Sequence, residues 1–167
     1  MTSDPSGESQ SRAPHEGHDE AMMRRALDLA RRAAAIGEVP VGAVVYETES
    51  GRILAEAFNL RERDADPSAH AEFLAIREAC RVIGDWRLNH CSLAVTLEPC
   101  PMCAGLIVNA RVGRVIYGAN DPKAGAVRTL YTLLEDDRLN HACEVRAGLL
   151  AEESAALLRA FFRDLRG

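Results

Sequence analysis

The sequence has no apolar run near the roughly 20 residues that cross a membrane as a helix, although 47% of its 167 residues are hydrophobic. It also lacks a charged-then-apolar leader at its N-terminus, so no signal peptide is expected. Five cysteines do not make an even set, which argues against a disulfide framework and for a reducing, cytoplasmic setting. No basic excess is present. The formal net charge of -5 argues at first against a polyanionic partner, since phosphate binding draws on clustered Lys and Arg. Residues 1–20 hold five of the acids and one base, however, so the remainder is near neutral at -1 and has room for a local basic surface. There is no internal repeat, and the length suits one ordinary domain.

Residues 1–17 are rich in Ser, Gly, Pro and charge, carry no apolar period, and read as a disordered tail before a single domain over 18–167. From Asp19 the pattern turns helical, with Met22, Met23, Ala26, Leu27, Ala30 and Ala33 on one face and arginines largely outside it. Runs at 41–46 and 53–58, joined by Glu49-Ser50-Gly51, read as a β-hairpin. A helix follows from about 70 to Ile83, stopped by Gly84. A buried strand at 93–97 leads into a further helix to about 110, and 112–117 is the next strand. Residues 127–134 read as helical, 144–147 as a weak strand, and Leu150 to Arg166 as the last helix. This order implies an α/β domain with a mixed sheet, an antiparallel edge pair, parallel inner pairings and helices on both faces.

Chemistry concentrates at Pro99-Cys100-Pro101-Met102-Cys103, on a turn after a strand. With Pro101 at the first helical position, both sulfurs sit at a helix N-terminus, where the dipole favours the thiolate that binds metal. A lone C-x-x-C is ambiguous, because a thioredoxin-like redox site reads the same way. The deciding feature lies about thirty residues upstream at His70-Ala71-Glu72. His70, Cys100 and Cys103 make three ligands, the number a catalytic zinc takes while leaving its fourth position open. A purely structural zinc module would need a fourth protein ligand, and the other histidines (His15, His18, His90, His141) have no partner at ligand spacing. Glu72 is then free to act as a base, provided the first turn is partly non-helical, with Ser68 as the expected N-cap.

With H-A-E and P-C-P-M-C in hand, the chain resembles the cytidine deaminase superfamily, and within it the bacterial tRNA adenosine deaminases. The resemblance runs from about Met22 to Arg163 and is carried by EVPVGAVV at 38–45, AHAE at 69–72, TLEPCPMCAG at 96–105 and RVGRVIYGANDPKAGA at 111–126. It implies a three-layer α/β/α sandwich with a mixed five-stranded sheet and one Zn2+ per subunit. The implied reaction is hydrolytic deamination of the wobble adenosine of a tRNA, an arginine tRNA being the expected substrate, to inosine. The same zinc motifs also fit a free-nucleobase deaminase acting on guanine or cytosine. By resemblance Glu72 moves the protons, and Asn59 bonds the flipped nucleoside. Val39, Pro40, Val41 and Ala71 line the base pocket, and Asp121 and Lys123 meet neighbouring nucleotides. Phe161 and Phe162 lie in a region such proteins hold near RNA, and a homodimer is expected.

Overall fold

The computed structural model describes residues 16–167. Most of the expected tail lies outside the described residues; its last two positions, Glu16 and Gly17, open helix α1 (Glu16–Ala35). The hairpin strands are β1 (Gly42–Glu47) and β2 (Ile53–Phe58), followed by α2 (Ala71–Ile83), β3 (Cys91–Leu97), α3 (Pro101–Asn109) and β4 (Arg114–Ala119). A short β5 (Glu144–Ala147) and the helix α4 (Ala151–Arg166) complete the chain. None of these helices is long and apolar enough to span a membrane.

The strands form one sheet in the order β2-β1-β3-β4-β5. β1 runs antiparallel to both β2 and β3, while β3, β4 and β5 are mutually parallel neighbours. The sheet is therefore mixed as expected, but the inner β1–β3 pairing is antiparallel and one parallel pairing lies at the β5 edge. A hairpin reverses direction once, and adding β1 rather than β2 beside β3 carries that reversal into the middle of the sheet.

Strand alternation builds the layers. Ala43, Val45, Leu93, Val95, Val115 and Tyr117 face a core shared with Ala71, Ala75 and Ile76 of α2 and Ala104 and Ile107 of α3. The residues between them, Val44, Tyr46, Ala94 and Ile116, face a second core shared with Met22, Met23, Ala26 and Leu29 of α1. Period-two strands with both faces apolar are what a sheet covered on both sides requires. Close approach of α1 depends on Gly42, where a Cβ would fall 2.0 Å from the Ala26 carbonyl oxygen.

One expected helix is absent. Residues 127–134 form successive turns packed on the first core through Val127 and Leu134. The amides of Val127, Arg128 and Thr129 go to the distant Glu98 carboxylate, so local apolar spacing does not decide the shape of the segment.

The pairing directions place four strand ends together. Gly42 pairs with Phe58 and Ala43 with Val95, so the start of β1 and the ends of β2 and β3 share one edge of the sheet. Leu97 pairs with Ala119, which brings the end of β4 to the same edge. Val39, Asn59, Cys100 and Asp121 all lie just beyond it.

Candidate active site and metal centre

Two helices begin at this edge. His70 is the N-cap of α2 and Cys100 the N-cap of α3, both with extended backbone and without a side-chain cap bond. Pro101 occupies the start of α3, as its fixed φ and missing N–H favour. The expected N-cap, Ser68, instead turns back on Asp66: its amide donates to Asp66 Oδ1 at 2.8 Å and its hydroxyl at 2.7 Å. That turn leaves His70 as the last non-helical residue. His70 and Glu72 consequently escape the divergence of two residues set two apart within a helix.

His70 Nδ1 lies 3.6 Å from Cys100 Sγ and 3.6 Å from Cys103 Sγ. All three donor atoms fall within 4.8 Å of one another. Bonds of about 2.3 Å to sulfur and about 2.0–2.1 Å to nitrogen in a tetrahedron put N and S about 3.6 Å apart, so the donor set fits zinc. Helix N-termini on both sides supply positive dipole ends that favour the thiolates. Cys100 is held down to about 4 by the proton shared from Cys103 and by the nearby imidazole, while Cys103 is pushed up because it keeps that proton. His70 is raised by its bond to Cys100.

Glu72, only 4% exposed, stands in the first turn of α2 beside these donors. Burial pushes its carboxyl up to about 7, where both protonation states are accessible at neutral pH. The cleft above has a volume of about 520 Å³, and His70, Glu72 and Cys100 border it. Cys103 is fully buried beneath. Val39, Val41, Asn59, Ala71, Asp121 and Lys123 also line the cleft; Pro40 is buried and does not.

Asn59 is pinned locally: its Nδ2 donates to the Val39 carbonyl at 3.3 Å and its Oδ1 accepts from the Arg61 amide at 3.1 Å. Asp121 Oδ1 accepts from the amides of Lys123 at 2.9 Å and Ala124 at 3.2 Å. Both are thus turn residues and cleft residues at once. Phe162, 43% exposed, reaches the cleft with Leu158, while Phe161 packs edge-on against it at 5.4 Å. Sequence reasoning missed Arg61, Leu158 and above all Glu98, a buried carboxylate at the end of β3. A charge closing an apolar strand was the available signal. A wider depression of about 980 Å³ lies at the opposite edge of the sheet, lined by Glu47, His90 and Glu144 among others, and none of the candidate residues borders it.

Residues 16–119 match the family model described as the cytidine and deoxycytidylate deaminase zinc-binding region. The chain belongs to this deaminase family. Within the family, the tRNA-specific adenosine deaminase of Bacillus subtilis (strain 168) is 51% identical over 148 residues, spanning 89% of this chain and 91% of the relative. A solved structure from work on A-to-I editing by tRNA:A34 deaminases at the wobble position superposes with a TM-score of 0.78 at 43% identity, covering 83% of this chain and 99% of the other. The guanine deaminase of Bacillus subtilis is also 43% identical, but over 60% of this chain and 64% of its own, with a TM-score of 0.58. The likeness to tRNA adenosine deaminases extends over nearly the whole length of both chains, and it places this deaminase in their branch.

Proposed function

We propose that this deaminase hydrolyses the wobble adenosine of a tRNA anticodon loop to inosine and ammonia, with Glu72 as the proton carrier. The observation that carries the reading is a buried carboxylate beside a three-donor zinc site at the floor of a nucleoside-sized cleft. His70, Cys100 and Cys103 would hold the ion, and a zinc there would supply a water activated toward a pKa of about 7 as nucleophile.

Glu72 takes the proton that water gives up and delivers it to N1 of the adenine as C6 is attacked. It then takes the second proton from the new C6 hydroxyl and passes it to the departing amine, which leaves as ammonia, so the carboxylate ends as it began. Val39, Val41 and Ala71 wall the base, with Pro40 backing them, and the N–H of Asn59 not used on Val39 faces the nucleoside. Asp121 and Lys123 meet the nucleotides on either side. An anticodon loop is already single-stranded, so turning one base into the cleft costs less than the few kcal/mol of unstacking in a duplex.

The finer assignments belong to the same reading: one domain over 18–167, an arginine tRNA as substrate, and a homodimer. Met102, Leu130 and Tyr131, all exposed, are available to a second subunit. Free thiols at all five cysteines are in keeping with a cytoplasmic enzyme.

The test is an inosine assay on an arginine-type anticodon stem-loop with A at the wobble position, beside free guanine, cytosine and adenosine, on protein of known zinc content. Inosine formed in the stem-loop is expected. Ammonia from a free base alone would reassign the enzyme to nucleobase deamination.

A further inference from the structure

We propose that Glu98 is a positioning residue: its buried carboxylate moulds the loop over 120–129 into the outer wall of the cleft and so sets the grip on nucleotides flanking the target. The inference rests on the tRNA reading above. Glu98 is 2% exposed and follows β3 directly, with its own amide donating to the Ala119 carbonyl at 2.9 Å. Oε2 accepts from the amides of Val127 at 3.2 Å, Arg128 at 3.2 Å and Thr129 at 3.1 Å. Oε1 accepts from the Asp121 amide at 3.4 Å and from the Thr129 hydroxyl.

Those donors occupy the lone pairs a carboxylate has to offer, so Glu98 has none left for substrate. Four of the five are backbone amides, and no Arg or Lys among the described residues pairs with it. A carboxylate satisfied this way dictates backbone path, whatever side chains the loop carries. Gly125 fits the same template, since a Cβ there would lie 2.2 Å from Glu98 Oε2 and 2.6 Å from the Asp121 carbonyl oxygen. The segment so wrapped presents Asp121, Pro122, Lys123 and Ala124 to the cleft. Glu98 therefore acts through the loop and not on the reacting atoms.

The experiment uses zinc-loaded enzyme and the anticodon stem-loop, comparing Glu98→Gln, Gly125→Ala and Thr129→Val. Gln is isosteric but turns one acceptor into a donor against the loop amides. In the first two variants KM is expected to rise about ten- to a hundredfold with kcat within about threefold and zinc content unchanged, and Thr129→Val to follow in the same direction less strongly. Amide exchange over 127–129 should quicken while α2 and α3 keep their protection. A hundredfold fall in kcat at constant KM would overturn the proposal by placing Glu98 in the chemistry. Unchanged KM in Gly125→Ala, which leaves the segment carrying Cys100 and Cys103 untouched, would overturn it as well, as would unchanged exchange in Glu98→Gln. Wild-type protein inactive on the stem-loop would instead sink the substrate reading, and the exchange comparison would still decide whether Glu98 holds the loop.

Discussion

Asp19 and Arg114, 95 positions apart, form a two-point ion pair with Nη1–Oδ1 at 3.1 Å and Nη2–Oδ2 at 3.0 Å, the aspartate wholly buried. Tyr46 donates its hydroxyl to Oδ1 at 2.8 Å and Arg146 adds a bond to Oδ2 at 2.9 Å, so α1, β1, β4 and β5 meet on one carboxylate. Breaking a buried pair leaves an uncompensated charge. Asp19→Asn is expected to cost about 3–5 kcal/mol in denaturant unfolding.

The same group predicts an acid limb. Burial pushes Asp19 up, but the hydrogen bonds from Arg114, Tyr46 and Arg146 outweigh it and leave the carboxyl below its ordinary range. A depressed carboxyl contributes stability above its unfolded value of about 3.9 and loses it as pH falls through the folded value. Wild-type stability should fall below about pH 4 more steeply than that of Asp19→Asn, as read from urea midpoints across pH.

Glu72 carries the opposite sign. Its folded carboxyl is raised to about 7 by burial, so it favours folding below its unfolded value and the advantage is lost as pH rises toward 7. In chelator-stripped protein, Glu72→Gln should flatten the decline in stability between about pH 4.5 and 7. In the zinc-loaded enzyme, Glu72→Ala should keep its metal and lose about a hundredfold to ten-thousandfold in kcat. Loss of zinc from that variant would mean that Glu72 is a ligand.

Asp121 uses Oδ1 within its own turn, and Oδ2 has no partner among the described residues. Asp121→Asn keeps the turn acceptor while converting the second oxygen into a donor. If Oδ2 accepts from a ribose 2′-hydroxyl, as the proposed function has it, the variant should narrow the preference for RNA over DNA stem-loops by about tenfold, the worth of one charge-assisted bond. An unchanged ratio of kcat/KM values would remove Asp121 from substrate contact.

Tyr117 is wholly buried, and its hydroxyl has no hydrogen-bond partner among the described residues. Tyr117→Phe removes an unpaired polar atom without changing shape, and should raise stability by about 1 kcal/mol in thermal unfolding.

Local chemistry made much of this legible in the sequence. Glu49-Ser50-Gly51 does join the hairpin, Gly84 does stop α2 in the left-handed conformation at φ 70°, and the metal donors converge as their spacing required. What stayed hidden depends on partners far along the chain. Residues 127–134 have helical spacing, yet three of their amides go to Glu98, about 30 positions upstream. Asp19 looked like one more acid near a charged tail, because its partners lie at 46, 114 and 146. Ser68 had the composition of an N-cap but an aspartate two residues before it competed for its hydroxyl.

Arg114 opens β4 and Asn120 follows its end, so one six-residue strand separates the Asp19 anchor from the rim of the cleft. Variation at the two ends is then nearly independent. A collection of rim variants selected for new nucleic-acid preferences should melt within a few degrees of the parent, and most destabilised members should trace to the few rim residues, such as Glu98 and Gly125, that also shape backbone. Specificity in this scaffold is open to change at small risk to folding.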